Sequence, residues 1–138
     1  MSISIEPMVG VRDWRWINDA IPILQVEDTE GIVAFICDNP AAAVVFDNWT
    51  QKSVQAHIAI LKPIVLRHGF LEWCFDYVFN YRKKERIFGL VPSNNRRALA
   101  FNQRMGFTEQ ARLTEAFASG IDYVILELTK DNCNFIEV

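Results

Sequence analysis

The hydrophobic and polar positions of the chain follow two rhythms, with a change near residue 63. Upstream of it, apolar residues come in short runs. Residues 2–6 alternate, and residues 11–20 place Trp14, Ile17 and Ile21 near helical spacing, which predicts a short strand and then a helix limited by Pro22. Residues 31–37 (GIVAFIC) are a continuous, partly β-branched run followed by the turn chemistry of Asp38, Asn39 and Pro40, the pattern of a buried strand. Residues 42–49 read as its hairpin partner, and residues 54–61 (VQAHIAIL) as a third strand of the same meander.

From Pro63 onward the period lengthens. Leu66, Phe70, Trp73, Cys74, Tyr77, Val78 and Tyr81 follow one another at steps of four, three, one, three, one and three, which predicts one long amphipathic helix over 63–81. The basic cluster at 82–84 suits its C-terminus. Residues 86–91 (RIFGLV) form a short strand closed by Pro92, and Ser93 or Asn94 is placed to cap a helix over 96–105 that stops at Gly106. Two final strands, 107–117 and 123–129, are joined by a turn through Ser119 and Gly120. This order predicts an α/β (α+β) domain on a mixed, mostly antiparallel sheet of six to seven strands flanked by helices. The step at 61–71, where a strand feeds a helix, exposes unpaired N–H groups of the kind that bind phosphate.

Composition adds bounds. At 138 residues, 51% hydrophobic and 22% charged, the chain fits one globular domain over 1–138. Its longest apolar runs fall well short of the roughly 20 residues that span a bilayer, and no signal peptide is read. Three cysteines without a C-x-x-C pair point to neither a disulfide framework nor a zinc site, so a reducing cytoplasm is the expected compartment.

Charge is uneven. The net value is −3, yet the segment from Arg82 to Arg112 holds eight basic residues against two acidic ones. An acidic protein with one cationic segment is arranged to attract a discrete polyanion such as a nucleotide cofactor, and a solvated helix face is the plainer reading. General nucleic-acid binding ranks last, because the basic residues alternate with apolar positions and the rest of the chain is acidic.

Sequences of the form G-x-S-x-G, H-E-x-x-H and G-x-x-x-x-G-K-[ST] are absent, and His57 and His68 lie eleven residues apart on different elements, without companions for a metal. The stretch from Arg86 to Phe107, a strand followed by VPSNNRRALAFNQRMGF, resembles the C-terminal half of the GNAT-type acyl-CoA N-acetyltransferase superfamily. Asn95, Ala98, Gly106 and Phe107 match that pattern in register. The meander, long helix and terminal hairpin around it agree. Residues 75–79 (FDYVF) and the tail at 130–133 (KDNC) are similar to small acetyltransferase-like proteins of phages and prophages.

The resemblance implies acetyl-CoA as co-substrate, lying where the fourth strand, with Ile60 and Leu61, splays from its neighbour. It also implies a pyrophosphate turn, for which Arg67, His68 and Gly69, leading into Phe70 and Leu71, stand as candidates. That turn has one Gly and one spacer fewer than the family pattern. Asn95 would bond cofactor or local backbone, with the plain N-cap as the alternative, and Ala98 and Phe101 would approach the cofactor from the second helix. Seven residues after Asn95 the family often has a Tyr that protonates the departing thiolate. Asn102 stands there, and an amide donates a hydrogen bond without serving as an acid.

For the acceptor amine, His57 on the predicted fourth strand is the candidate base, with a sheet-face histidine as the plainer reading. Asp47, in the preceding strand with Asn48 and Trp49, is a candidate to bind or deprotonate an amine, with a turn-adjacent solvated aspartate as the equal alternative. Glu72 reads as a surface residue and Cys74 as a buried structural thiol. Trp14 and Trp16, two apart on a short helix, cannot both face one stripe, so one of them with Trp49 is a candidate for an acceptor groove or dimer interface. Two functions stay open: transfer of acetyl to a small amine or a protein amino group, and a catalytically silent GNAT-like binding or assembly module. Homodimerisation is common in the resembled superfamily and is an expectation from it alone.

Overall fold

A computed structural model describes residues 2–135 of the chain. Its strands are β1 (Ile3–Pro7), β2 (Glu30–Ile36), β3 (Asn39–Asp47), β4 (Ser53–Ile60), β5 (Arg86–Pro92), β6 (Thr108–Ala118) and β7 (Ile121–Thr129). They form one sheet in the order β1-β2-β3-β4-β5-β7-β6. Neighbours are antiparallel except β4 and β5, which run parallel. A parallel pair needs a crossover, and residues 61–85 supply it.

Strand alternation assigns the two faces. Ala42, Val44 and Phe46 of β3 point to one side, where Phe70, Leu71 and Phe75 of α2 (Phe70–Asp76) and Met105 of α3 (Arg96–Met105) complete the main core. Ala43 and Val45 point to the other, beneath Ile17 and Ile21 at the end of α1 (Gly10–Ala20). Each of the larger buried side chains contributes about 1.5–3 kcal/mol by leaving water. Cys74 is wholly buried, and burial, helped by the charge of Glu72, pushes its thiol well above the ordinary value. Among the described residues, no helix is long and apolar enough to cross a membrane.

The crossover is not the single long helix that the apolar stripe predicts. Pro63–His68 is a 3-10 helix ended by Gly69 in the left-handed region at φ 82°, after which α2 begins in a new phase. A π-helical turn, Tyr77–Tyr81, follows, and the Arg82 N–H donates to the Tyr77 carbonyl five residues back. Both changes rotate the stripe. Trp73 and Tyr81 therefore end 57% and 76% exposed instead of in the core.

Two smaller expectations also shift. The β2–β3 turn is Cys37-Asp38, both at positive φ, so Asn39 and Pro40 already belong to β3, where a register shift accommodates the proline. The cap of α3 is Asn95, whose Oδ1 accepts the Ala98 N–H at 3.2 Å, whereas Ser93 exchanges hydrogen bonds with the Asp122 backbone. The turn at Ser119-Gly120 forms as predicted, with Gly120 at φ 73°.

Asp13, fully buried, anchors α1. It accepts from the Val9 N–H at 2.7 Å, from Arg12 Nε and Nη2 at 2.8 Å, and from the Trp16 indole at 3.2 Å. Burial pulls its carboxyl upward, but these donors outweigh it and hold the group below its ordinary value. A depressed carboxylate stabilises the fold above its unfolded-state value and loses that contribution as pH falls through the folded one. The expected outcome for Asp13→Asn is a loss of about 2 kcal/mol at neutral pH, read by urea unfolding. The gap from wild type should shrink on acidification; a gap that widens would refute the assignment.

Gly106 ends α3 at φ 112°, where an added Cβ would stand 2.0 Å from the Asn132 carbonyl oxygen. The same tail binds the helix end through the Asn134 N–H to Met105 O and the Asn134 side chain to Arg104 O. Gly106→Ala combines strained backbone with a backbone clash, so about 3 kcal/mol or more of stability should be lost in the same assay.

Candidate functional site

The site begins where the sheet opens. β4 stays paired to β3 from Gln55 through Ile60, but its parallel register with β5 covers only Ser53↔Arg86, Val54↔Ile87 and Gln55↔Phe88. Beyond Gln55, β5 follows β7 while β4 follows β3, and the strands part. The apex is narrow: a Cβ on Gly89 would lie 3.9 Å from the Ala56 carbonyl oxygen.

A cleft of about 270 Å³ fills the opening. His57 and Ile58 form its β4 wall, and Leu90 and Val91 its β5 wall. Ile21 and Pro22, just after α1, border it on one side of the sheet; Asn95, Ala98 and Asn102 border it on the α3 side. A larger groove of about 560 Å³ shares Ile58, Asn95, Ala98 and Asn102 with this cleft. It extends past Ile60, Pro63 and Leu66, with Arg97, Phe101 and Arg104 along its helical wall. The two spaces meet at the opening and reach opposite faces of the sheet.

His57 pairs directly with Val45 across the β3–β4 ladder and so shares the α1 face. On that face Asp47 is its diagonal neighbour, and His57 Nε2 lies 3.1 Å from each of the Asp47 carboxylate oxygens. Asp47 is only 9% exposed, whereas His57 also forms part of the cleft wall. Donation from Nε2–H to the carboxylate leaves the lone pair on Nδ1, the arrangement in which an imidazole accepts a proton.

The α3 residues are partly committed. Asn95 caps the helix as described and still borders both spaces. Asn102 donates one amide hydrogen to the Ala98 carbonyl at 2.7 Å, which leaves it one donor and no acidic proton. Ala98 is the small residue that keeps this wall close to the opening.

The crossover contributes less than its sequence implies. Ile60 borders the groove, but Leu61 is exposed outside it. Arg67, His68 and Gly69 border neither space, and the side chains of Phe70 and Leu71 are buried in the core. Glu72 folds back toward Gly69, about 3.6 Å from where a Cβ would stand, and its Oε2 is shielded from water without a hydrogen-bond donor among the described residues. A carboxylate there sets negative charge against the N–H groups that begin α2.

The cationic segment divides in two. Arg82 binds Glu30 at 2.5 Å and lies 3.9 Å over the Trp49 ring, beside Tyr77, whose hydroxyl donates to the same carboxylate. Arg86 pairs with Glu127, and Arg112 with Glu109 at 3.0 Å. Arg97 and Arg104 face the groove instead. Their spacing of seven places them on one face of α3, a signal present in the sequence but hidden within the wider basic run. Leu90 and the Ile21-Pro22 corner carry no comparable local signal, because long-range packing puts them at the site. The tryptophans do not line it: Trp14 and Trp16 are both partly buried against the α1 cluster, and Trp49 packs with Phe46, Tyr77 and Arg82.

No protein-family model matches the chain. No curated protein matches it in sequence. Solved structures do match it in shape. The spermidine/spermine N-acetyltransferase SpeG from Vibrio cholerae superposes with a TM-score of 0.73 at 16% identity, covering 92% of each chain. A chimera of that enzyme with hSSAT gives 0.73 at 17% identity over 95% of this chain and 98% of its own. The dodecameric structure of the Vibrio cholerae spermidine N-acetyltransferase gives 0.72 at 16% identity over 94% of each. With a seven-stranded, mostly antiparallel sheet opened between β4 and β5 and flanked by helices, the chain has a GNAT-like fold.

Proposed function

We propose that the protein is an acetyl-CoA-dependent N-acetyltransferase acting on an amine, with His57 as general base and Asp47 as the residue that positions it. The observation that carries this reading is the Asp47–His57 pair on the wall of the cleft, with Nε2 held 3.1 Å from both carboxylate oxygens. An ammonium entering from the α1 face gives a proton to His57 Nδ1 and becomes a nucleophile. The Asp47 carboxylate stabilises the imidazolium that forms.

The lining of the groove supports acetyl-CoA as the co-substrate. Ile60, Ala98 and Phe101 offer an apolar wall for the pantetheine arm, Asn95 a polar contact, and Arg97 and Arg104 the cations for its phosphates. These two arginines take the part that Arg67, His68 and Gly69 hold in the family pattern. When bound, acetyl-CoA supplies the activated acyl group that an amine can attack directly. As the C–N bond forms and the C–S bond breaks, Asn102 can donate a hydrogen bond to the departing sulfur but cannot protonate it, so CoA leaves as a thiolate that takes the second proton shed by the attacking nitrogen.

The spermidine acetyltransferases of the same fold support an amine acceptor, and the dodecameric one supports a homo-oligomer. Kinship with small phage or prophage proteins and a cytoplasmic location rest on the sequence reading. A second reading, a silent binding module, is favoured by Glu72, whose carboxylate opposes a phosphate at the α2 start.

Thermal unfolding with millimolar ligand separates the two readings. Acetyl-CoA and CoA, but not ATP, should raise the midpoint by several degrees, since a ligand at about 100 times its Kd adds about 2.7 kcal/mol. Arg97→Glu combined with Arg104→Glu should remove the shift. In turnover, His57→Gln should lower kcat by about 10²–10⁴-fold. Asp47→Asn should lower kcat less and leave KM for acetyl-CoA unchanged. No midpoint shift for wild type would favour the silent module.

A further inference from the structure

We infer that the acceptor is a small monoamine with an apolar body, and not a polyamine; this rests on the function proposed above and specifies its substrate. The evidence is the chemistry of the cleft on the side that α1 borders. Its walls there are Ile21, Pro22 and Leu90, with the proton-accepting His57 among them. Leu90 lines the cleft beside Ile21 and Pro22 and is 39% exposed, so this side of the cleft offers apolar side chains against which an apolar substrate body would pack.

A polyamine would meet the opposite of what it needs. Each ammonium beyond the reacting one requires a carboxylate or several acceptors, because a cation taken from water without a partner is costly. No acidic residue among the described ones lines either space. Asp47 is turned to His57 and nearly buried, and Asp19, next to the lining residue Ala20, is exposed on α1 outside the lining. The charged side chains on the connected groove, Arg97 and Arg104, are cations, so the groove adds no carboxylate for a second ammonium. The cleft's volume, about 270 Å³, suits a small molecule. The likeness to spermidine acetyltransferases thus extends to the fold while the acceptor chemistry differs.

The test measures free CoA thiol released at saturating acetyl-CoA from phenethylamine, hexylamine, putrescine and spermidine, using the full chain. The expected result is a kcat/KM for the two monoamines at least 10-fold above that for the two polyamines. Equal or greater turnover of spermidine would overturn the inference and leave the acetyltransferase reading standing. Release with none of the four would also overturn it; the acetyl-CoA midpoint shift then decides the reading beneath, which stands if the shift is present and falls if it is absent. Leu90→Glu, at a partly exposed position and checked for an unchanged midpoint, places a carboxylate on the wall. It should lower the phenethylamine-to-spermidine ratio at least 10-fold, and an unchanged ratio would overturn the inference as well.

Discussion

The structure depends on one interrupted pairing. β4 and β5 share three residue pairs and then separate, because each is held more extensively by its other neighbour: β4 by β3 along Gln55 to Ile60, and β5 by β7 along its whole length. A sheet that parts in its middle must fill the gap with side chains or leave it open. Here the flanking positions are small or already engaged: Gly89 and Ala56 at the apex, Ala98 on the helical side, and His57 tied to Asp47. The opening therefore persists as a passage between the two layers of helices. The cationic groove and the imidazole thus approach the same opening from opposite faces of the sheet.

How much of this could be read in the chain follows from the range of each interaction. The strands of the meander, α3 with its terminating Gly106, and the Ser119-Gly120 turn are set by neighbours within a few residues, and the sequence displays them directly. The crossover is different. Seven apolar positions from Leu66 to Tyr81 satisfy a helical period, yet Gly69 in the left-handed region and a π turn at 77–81 divide the segment into three phases. Gly69 was visible as a residue; that its break would outweigh the stripe was decided by packing against the sheet. Likewise His57 and Asp47 could each be singled out, but their contact depends on the β3–β4 register, which turns a separation of ten residues into a diagonal pair.

Charge shows the same division between composition and place. The basic excess between Arg82 and Arg112 is real, but ion pairs with Glu30 and Glu127 engage Arg82 and Arg86 in holding elements together, and Arg112 pairs with Glu109 within β6. Arg82 also packs flat on Trp49, so its role is to fasten the end of the crossover to the β3–β4 turn. Of the other five basic residues, Lys84 donates to the Thr50 and Gln51 carbonyls, and Arg97 and Arg104 are the two that line the groove. A segment's net charge thus overstates its binding capacity wherever the cations are consumed internally.

The far side of the sheet carries a burden of another kind. All eleven residues of β6 are exposed, and β6 is an edge strand, so its outer row of backbone donors and acceptors is a template on which another chain could grow. The strand carries its own deterrents. Glu109, Arg112 and Glu115 distribute charge along it, and two breaks in register, one spanned by Glu115 at φ 50°, keep it from presenting a long straight ladder. The charges of this hairpin therefore guard an open edge against strand-to-strand association, a burden separate from the chemistry of the cleft.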